Sequence, residues 1–318
     1  MGMPTQSLAA DEIVNRYGAV ETFTAPFEGH PVSHGLPAGS ITDDTEQTLL
    51  LAETILASPR RFDADAWARK LMDWEDEVRR RGRHDLLGPS TKRALVAIAR
   101  GESPEQAGRF GDTNGAAMRI APVGIAYSFR QTEAFVAKVH DTCKPTHNTS
   151  IAVSGAAAVA AAVSAAIDGE DWDHSKAAAL EAARAGSAKG YRSPGVDIAA
   201  RIGWALELVR GRDRASGIRN VIEQIGTGVA TYESVPAAFA VVEIAHADVW
   251  EAAVLSANLG GDTDTIGAIA AGLAGALCGM SALPADRLER LHGLDRAQVD
   301  RLARGLLALR NSAVRAVA

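Results

Sequence analysis

Between Ile151 and Ile167 every residue is Ala, Val, Ile, Ser or Gly, and Ile266 to Met280 repeats the pattern with Gly and Ala dominant. Such runs narrow the choice of fold sharply. Alanine is the strongest helix former, whereas β-sandwiches draw on aromatic and β-branched side chains. Aromatics make up only 5% of this chain, against 47% hydrophobic residues overall. Helices with such small side chains are stable only when neighbours approach closely on most sides. Both runs are apolar enough to raise the question of a membrane, but the second is shorter than the ~20 residues a span needs. Both are therefore expected to be buried core helices, with no membrane as partner.

The 318 residues suffice for one large domain or two small ones. No linker, internal repeat or strand–helix alternation divides them, so a single all-α domain over residues 1–318 is expected. The net charge of −6 and a pI near 5.8 offer nucleic acid no electrostatic attraction. The one basic run, Arg79 to Arg83, follows Glu75, Asp76 and Glu77 and reads as a solvated, salt-bridged helix face. Cys143 and Cys278 form no metal-ligand pattern and fit buried, inert thiols in a reducing compartment. With no signal peptide visible, the expected location is cytoplasmic.

Periodicity predicts helices over about Ala9–Tyr17, Thr45–Ala57, Asp63–Arg80 and Lys92–Arg100. Leu49, Leu50, Ala52 and Leu56 form the inward stripe of the second, and Trp67, Leu71 and Trp74 that of the third. Residues Gly18 to Gly39, rich in Gly, Pro and His, read as an extended surface loop with His30 and His34 exposed. Three helices are expected between 173 and 226. Another starts at Glu233-Ser234-Val235-Pro236, with Pro in its first turn, and the last two lie near 284–292 and 295–317.

Chemistry concentrates in Gly260-Gly261-Asp262-Thr263-Asp264-Thr265-Ile266-Gly267. One Asp at a helix head is only a cap. Two in Asp-x-Asp repel unless water or a cation neutralises them. Thr42-Asp43-Asp44-Thr45 repeats the theme upstream. Brought together, the two loops would supply four carboxylates and several hydroxyls, an all-oxygen set suited to Mg²⁺ or Mn²⁺. Gly111 to Arg119 is a second informative loop, in which small residues let a ligand approach the backbone. The chain lacks Gly-x-x-x-x-Gly-Lys-Ser/Thr, a Gly-x-Gly-x-x-Gly after a strand, and Gly-x-Ser-x-Gly. The residues alone thus indicate an all-α metal-dependent hydrolase or a metal-stabilised binding protein.

Thr42-Asp43-Asp44, Asn114-Gly115-Ala116-Ala117-Met118-Arg119, Thr146-His147, Glu233-Ser234-Val235-Pro236 and Gly260 to Ile266 follow one another along the chain. In kind and order they closely resemble the motifs of the ADP-ribosylglycohydrolase family, which includes the dinitrogenase-reductase-activating glycohydrolases and the ADP-ribosyl-acceptor hydrolases. The resemblance implies an all-α orthogonal helical bundle with two Mg²⁺ or Mn²⁺ ions at the bottom of a cleft. It also implies hydrolysis of the bond between ADP-ribose, or a related nucleotide or nucleoside, and its acceptor, with a protein acceptor possible. Two alternatives are a catalytically weak or inactive ADP-ribose-binding relative, and one acting on other nucleosides or glycosides.

Carried over by position, Thr42, Asp43, Asp44, Asp262, Asp264 and Thr265 would ligate the metals. Asn114, Gly115, Ala116 and Met118 would cradle the phosphates or distal ribose. His147 would contact the ligand near the diphosphate, with Gly88 and Ser90 bordering it and Glu233–Pro236 on the adenine side. The resemblance further implies that the family's opening helix, ending Gly-Asp-Ala-Leu-Gly, is missing, the chain starting inside that motif at Met1-Gly2-Met3-Pro4. Gln6 stands where the family usually carries a Glu that positions or deprotonates water. An amide cannot act as a base, so either Asp43 or Asp44 takes that role or the activity is altered or weak.

Overall fold

The computed structural model describes residues 1–82 and 87–315. Helices follow in the order α1 Ala10–Tyr17, α2 Asp43–Ala57, α3 Ala64–Arg80, α4 Pro89–Ala99, α5 Pro104–Ala107, α6 Gly115–Met118, α7 Ala121–Ala126 and α8 Thr132–Cys143. They continue with α9 Ser150–Ile167, α10 Trp172–Gly186, α11 Ile198–Val209, α12 Arg214–Asn220, α13 Thr231–Ile244 and α14 Val249–Ala257. The chain closes with α15 Thr263–Cys278, α16 Ala285–Leu288 and α17 Arg296–Arg315. Three isolated bridges are the whole of the β pairing among the described residues. The all-α expectation holds.

The alanine run is the axis of the bundle. Every residue of α9 from Ile151 to Ala166 is buried, and α6, α7, α8, α10, α11, α13 and α15 all pack on it. Small side chains make this possible. A β-carbon on Gly186 of α10 would fall 2.9 Å from the Ser154 Cα of α9, so the two helices meet at backbone contact. The helix is long and apolar enough for a membrane span, but 89% of it is buried within the fold.

Local rules set several of the helix starts. Asp63, Thr149, Asp171, Asp197, Asp213 and Asp248 each accept the backbone N–H three residues on, from the N-cap position. Arg79, Arg80 and Arg81 pair with Glu75 and Glu77 as a salt-bridged face, while Arg83 lies outside the described residues.

Several expectations need correction. The helices begin earlier than read: α2 at Asp43, α4 at Pro89 and α15 at Thr263. Motif residues taken as loop are therefore first-turn residues. The inward stripe of α2 is Leu51, Ala52 and Ile55, with Leu49, Leu50 and Leu56 only partly buried against the core. Asp44 and Gln47 also face inward, and that polar demand rotates the helix. Pro236 lies beyond the first turn, because α13 starts at Thr231. Its missing N–H leaves the Tyr232 carbonyl without its helical donor, and Arg201 Nε approaches that oxygen at 3.4 Å. α16 is a single turn, and 316–317, expected in the last helix, lie outside the described residues. His30 is buried, with Nδ1 accepting from the Val32 and Ser33 amides, whereas His34 is exposed as expected. Cys143 is buried and its thiol pushed up to about 12 by burial, but Cys278 is exposed at the end of α15.

Arg310 fastens the last helix. Its guanidinium, only 4% exposed, donates to the carbonyls of Gly124, Tyr127 and Ser164 and pairs with Asp168 at 2.7 Å. These carbonyls lie at or near the C-terminal ends of α7 and α9; the Ser164 carbonyl still accepts from the Asp168 N–H, and the guanidinium adds a second donor. Replacing Arg310 with Ala removes all of these bonds, although the Ser164 carbonyl keeps the Asp168 N–H and the Tyr127 carbonyl the Ser164 hydroxyl, and is expected to cost roughly 2–4 kcal/mol. Urea unfolding would show this as a lower midpoint with unchanged slope.

Candidate metal centre and cleft

The two acidic motifs form the first turns of α2 and α15. Thr42 and Asp262 are the N-cap residues, yet neither side chain makes the capping bond. Thr42 Oγ1 donates instead to Asp44 Oδ2 at 2.7 Å, and Asp262 Oδ2 accepts from Asn114 Nδ2 at 2.5 Å. The bland explanation of these residues as caps therefore fails. The positive ends of two helix dipoles converge here with four carboxylates.

The turn before α15 is built for this placement. Gly260 and Gly261 both have positive φ, and a β-carbon on Gly261 would fall 2.3 Å from the Thr227 carbonyl oxygen. The other end of the chain clasps the same turn. Ser7 N donates to the Gly261 carbonyl and Gly261 N to that of Leu8, while Thr263 Oγ1 donates to the Gly2 carbonyl.

Asp43, Asp44 and Asp264 each present an oxygen, all within 4.8 Å of one another. Burial is the main reason that the carboxyls of Asp43 and Asp264 lie well above their ordinary value, with repulsion from neighbouring aspartates adding to it. Asp44 is raised to about 6, by burial first and Asp262 second. Asp262 is raised by burial as well, opposed by its hydrogen bonds. Asp44 Oδ1 and Asp264 Oδ1 are buried without any hydrogen-bond partner. Unsatisfied buried carboxylate oxygens are expensive, and a hard divalent cation is what this donor set fits.

A cleft of about 100 Å³ opens onto the cluster, lined by Gln6, Asp43, Gly88, Asn114, Gly115, Met118, Asp262, Asp264 and Thr265 among others. Most sequence-predicted positions thus converge. Asp44 instead lines a separate cavity of about 330 Å³, together with Asp264, Met3, Phe23 and Trp250. Ala116, Ser90 and His147 are buried and lie outside the cleft lining. The His147 ring sits under Gly115, where a β-carbon would meet its Cε1 at 2.8 Å. Burial, reinforced by Arg119 and Arg93, holds that imidazole well below its ordinary value and so neutral. Glu233 reaches the site only indirectly, its carboxylate accepting from Gly228 N in the loop that carries Val229 into the cleft.

Sequence reasoning missed Thr113, Gln47 and Val229. Gln47 had a signal: it follows Asp43 by one helical turn, and its Nε2 donates to Asp43 Oδ2 at 3.2 Å. Thr113 pairs with Ala230 in an isolated bridge, a long-range contact with no local signature.

The chain is 35% identical over 312 residues to the protein YegU of Escherichia coli (strain K12), covering 98% of this chain and 93% of that one. It is 29% identical to the human ADP-ribosylhydrolase ARH3, over 88% of this chain and 82% of ARH3. Among solved structures, an ADP-ribosylglycohydrolase-related protein complex superposes with a TM-score of 0.64 at 27% identity, covering 97% of this chain and 92% of that one. The family model described as ADP-ribosylglycohydrolase matches residues 1–315. The chain therefore belongs to the ADP-ribosylglycohydrolase family, enzymes that hydrolyse glycosidic bonds.

Proposed function

We propose that this enzyme hydrolyses the bond between ADP-ribose, or a closely related nucleotide or nucleoside, and its acceptor at a centre of two Mg²⁺ or Mn²⁺ ions. The observation that carries the reading is the pair of orphaned buried oxygens, Asp44 Oδ1 and Asp264 Oδ1, at the heads of two helices. Thr42, Asp43, Asp44, Asp262, Asp264 and Thr265 would hold the ions. Bound there, the ions would supply positive charge to fix ribose hydroxyls and acidify water.

The chain's own groups divide the remaining work. The cleft is below the roughly 300 Å³ of pockets that enclose a whole ligand, so it suits one sugar ring, with the rest of the nucleotide outside. Gly115 and Met118 border that space. Gln6 Nε2 is committed to Ser33 Oγ at 2.8 Å, and Ser33 in turn donates to the Met3 carbonyl. The amide is thus a fixed polar wall and no base. Of the two aspartates that could take a proton, Asp43 opens into the cleft and Asp44 does not, which favours Asp43.

Isothermal titration of Mn²⁺-loaded protein with ADP-ribose tests the reading, with a chelated control alongside. Binding should require the metal, and Asp264→Ala should abolish metal loading while keeping the helical circular dichroism. ADP-ribose binding that is indifferent to metal would overturn it.

The pH dependence has a definite sign. The folded state holds the Asp44 proton up to about pH 6, above the ordinary 3.8. Metal-free stability from this group therefore falls as pH rises between those values. A cation needs the ionised form, so saturating Mn²⁺ should raise the melting temperature more near pH 7.5 than near pH 5. Scanning calorimetry at the two pH values measures the difference.

Gln6→Glu supplies a carboxylate on the cleft wall and is expected to raise kcat, within the roughly 10²–10⁴-fold range of general-base catalysis. ADP-ribose affinity should stay nearly unchanged. Single-turnover hydrolysis of an ADP-ribosylated peptide gives the comparison.

A further inference from the structure

Behind the cleft, a chain of buried hydrogen bonds runs from the first acidic motif through Gln47, Arg119, Thr146 and His147 to Thr113 on the cleft wall. Gln47 Nε2 donates to Asp43 Oδ2, and Gln47 Oε1 accepts from Arg119 Nη1. Arg119 Nη2 donates to Thr146 Oγ1 at 2.6 Å. Thr146 Oγ1 lies 2.8 Å from His147 Nδ1, and His147 Nε2 lies 3.1 Å from Thr113 Oγ1. The next residue, Asn114, donates to Asp262. Arg119, Gln47, Thr146 and His147 are all at most 1% exposed, and the guanidinium lies over the Trp67 ring, 5.4 Å from its centroid.

Arg119 gives this chain a direction. A guanidinium only donates. The Gln47 carbonyl must therefore face Arg119, and its NH₂ must face Asp43. Thr146 accepts from Arg119, and His147 Nδ1 is the acceptor that lies within reach of its hydroxyl proton, which we assign to that bond. The neutral ring then carries its proton on Nε2 and donates to Thr113 Oγ1. That leaves the Thr113 hydroxyl free to donate into the cleft that Thr113 lines.

We infer that Arg119 is a positioning residue with two branches: through Gln47 it orients Asp43 at the metal centre, and through Thr146 and His147 it presents the Thr113 hydroxyl as a donor to the bound nucleotide. The first branch ties up Asp43 Oδ2 and leaves the other oxygen for a cation. The second links the buried His147 to the cleft through Thr113. The inference rests on the metal-dependent reading above and extends it to residues outside the ligand set.

The two branches can be cut separately. Gln47→Met is nearly isosteric and removes the bond to Asp43. It should weaken Mn²⁺ binding by roughly 10–100-fold, as loss of an outer partner of a metal ligand does. Thr146→Val, also nearly isosteric, cuts the other branch. It should leave Mn²⁺ affinity within about threefold of wild type while weakening ADP-ribose binding to the Mn²⁺-loaded protein by roughly tenfold, the worth of about one hydrogen bond. Calorimetric titration of both variants with Mn²⁺, then ADP-ribose, reads this out, with circular dichroism as the check on folding. Should Gln47→Met not fold, Gln47→Glu keeps the shape, sets a carboxylate against Asp43, and carries the same expectation for Mn²⁺.

Wild-type Mn²⁺ affinity in folded Gln47→Met or Gln47→Glu would overturn the first branch. Unchanged ADP-ribose affinity in Thr146→Val, or a loss of metal there equal to that of Gln47→Met, would overturn the second. A wild-type protein that binds no Mn²⁺ would remove the metal-dependent reading and this inference with it. Tight wild-type binding beside unaffected variants removes this inference alone.

Discussion

The cost of burying four clustered carboxylates is the constraint around which this structure is arranged. Asp43, Asp44, Asp262 and Asp264 all have their charged forms disfavoured, chiefly by burial. Such a cluster would relax outward unless its backbone were held from behind. Two helix N-termini, a double-glycine turn and the clasped segment at residues 1–8 provide that support. Behind them stands α9, whose small side chains let seven helices close round one axis. Packing at backbone contact leaves little room for adjustment, and that rigidity keeps like charges in place.

Part of this was legible in the chain. Asp-x-Asp between threonines predicts the centre, since two carboxylates so close need a counter-charge whatever the fold. The alanine run predicts a buried core helix, because side chains so small need close neighbours on most sides. The motif order along nearly the whole chain pointed to the family.

What escaped sequence reasoning depends on depth and rotation. Nothing local distinguishes the buried His30 from the exposed His34 four residues later; the difference comes from the turn at Ser33 that anchors Gln6. The inward stripe of α2 turned because Asp44 and Gln47 had to face the centre, and apolar periodicity does not register polar residues with an inward task. Pro236 was misplaced because α13 starts before the motif, its carbonyl gap partly covered by Arg201 from another helix. Arg119 stood at the end of a recognised motif, but its importance lies in Gln47 and Thr146, which only the packed structure brings to it.

The clasp between residues 2–8 and the Gly260–Thr263 turn bears on how the protein is made. Gln6 and Ser7 share the cleft lining with Asp262, Asp264 and Thr265, more than two hundred and fifty positions further along the sequence. Contacts that distant carry a large loop-closure cost and form late. In the unfolded chain the two acidic motifs are separated by more than two hundred residues, and neither alone makes the pocket. The cleft therefore exists only once these distant segments have met, and no shorter stretch of the chain can form it.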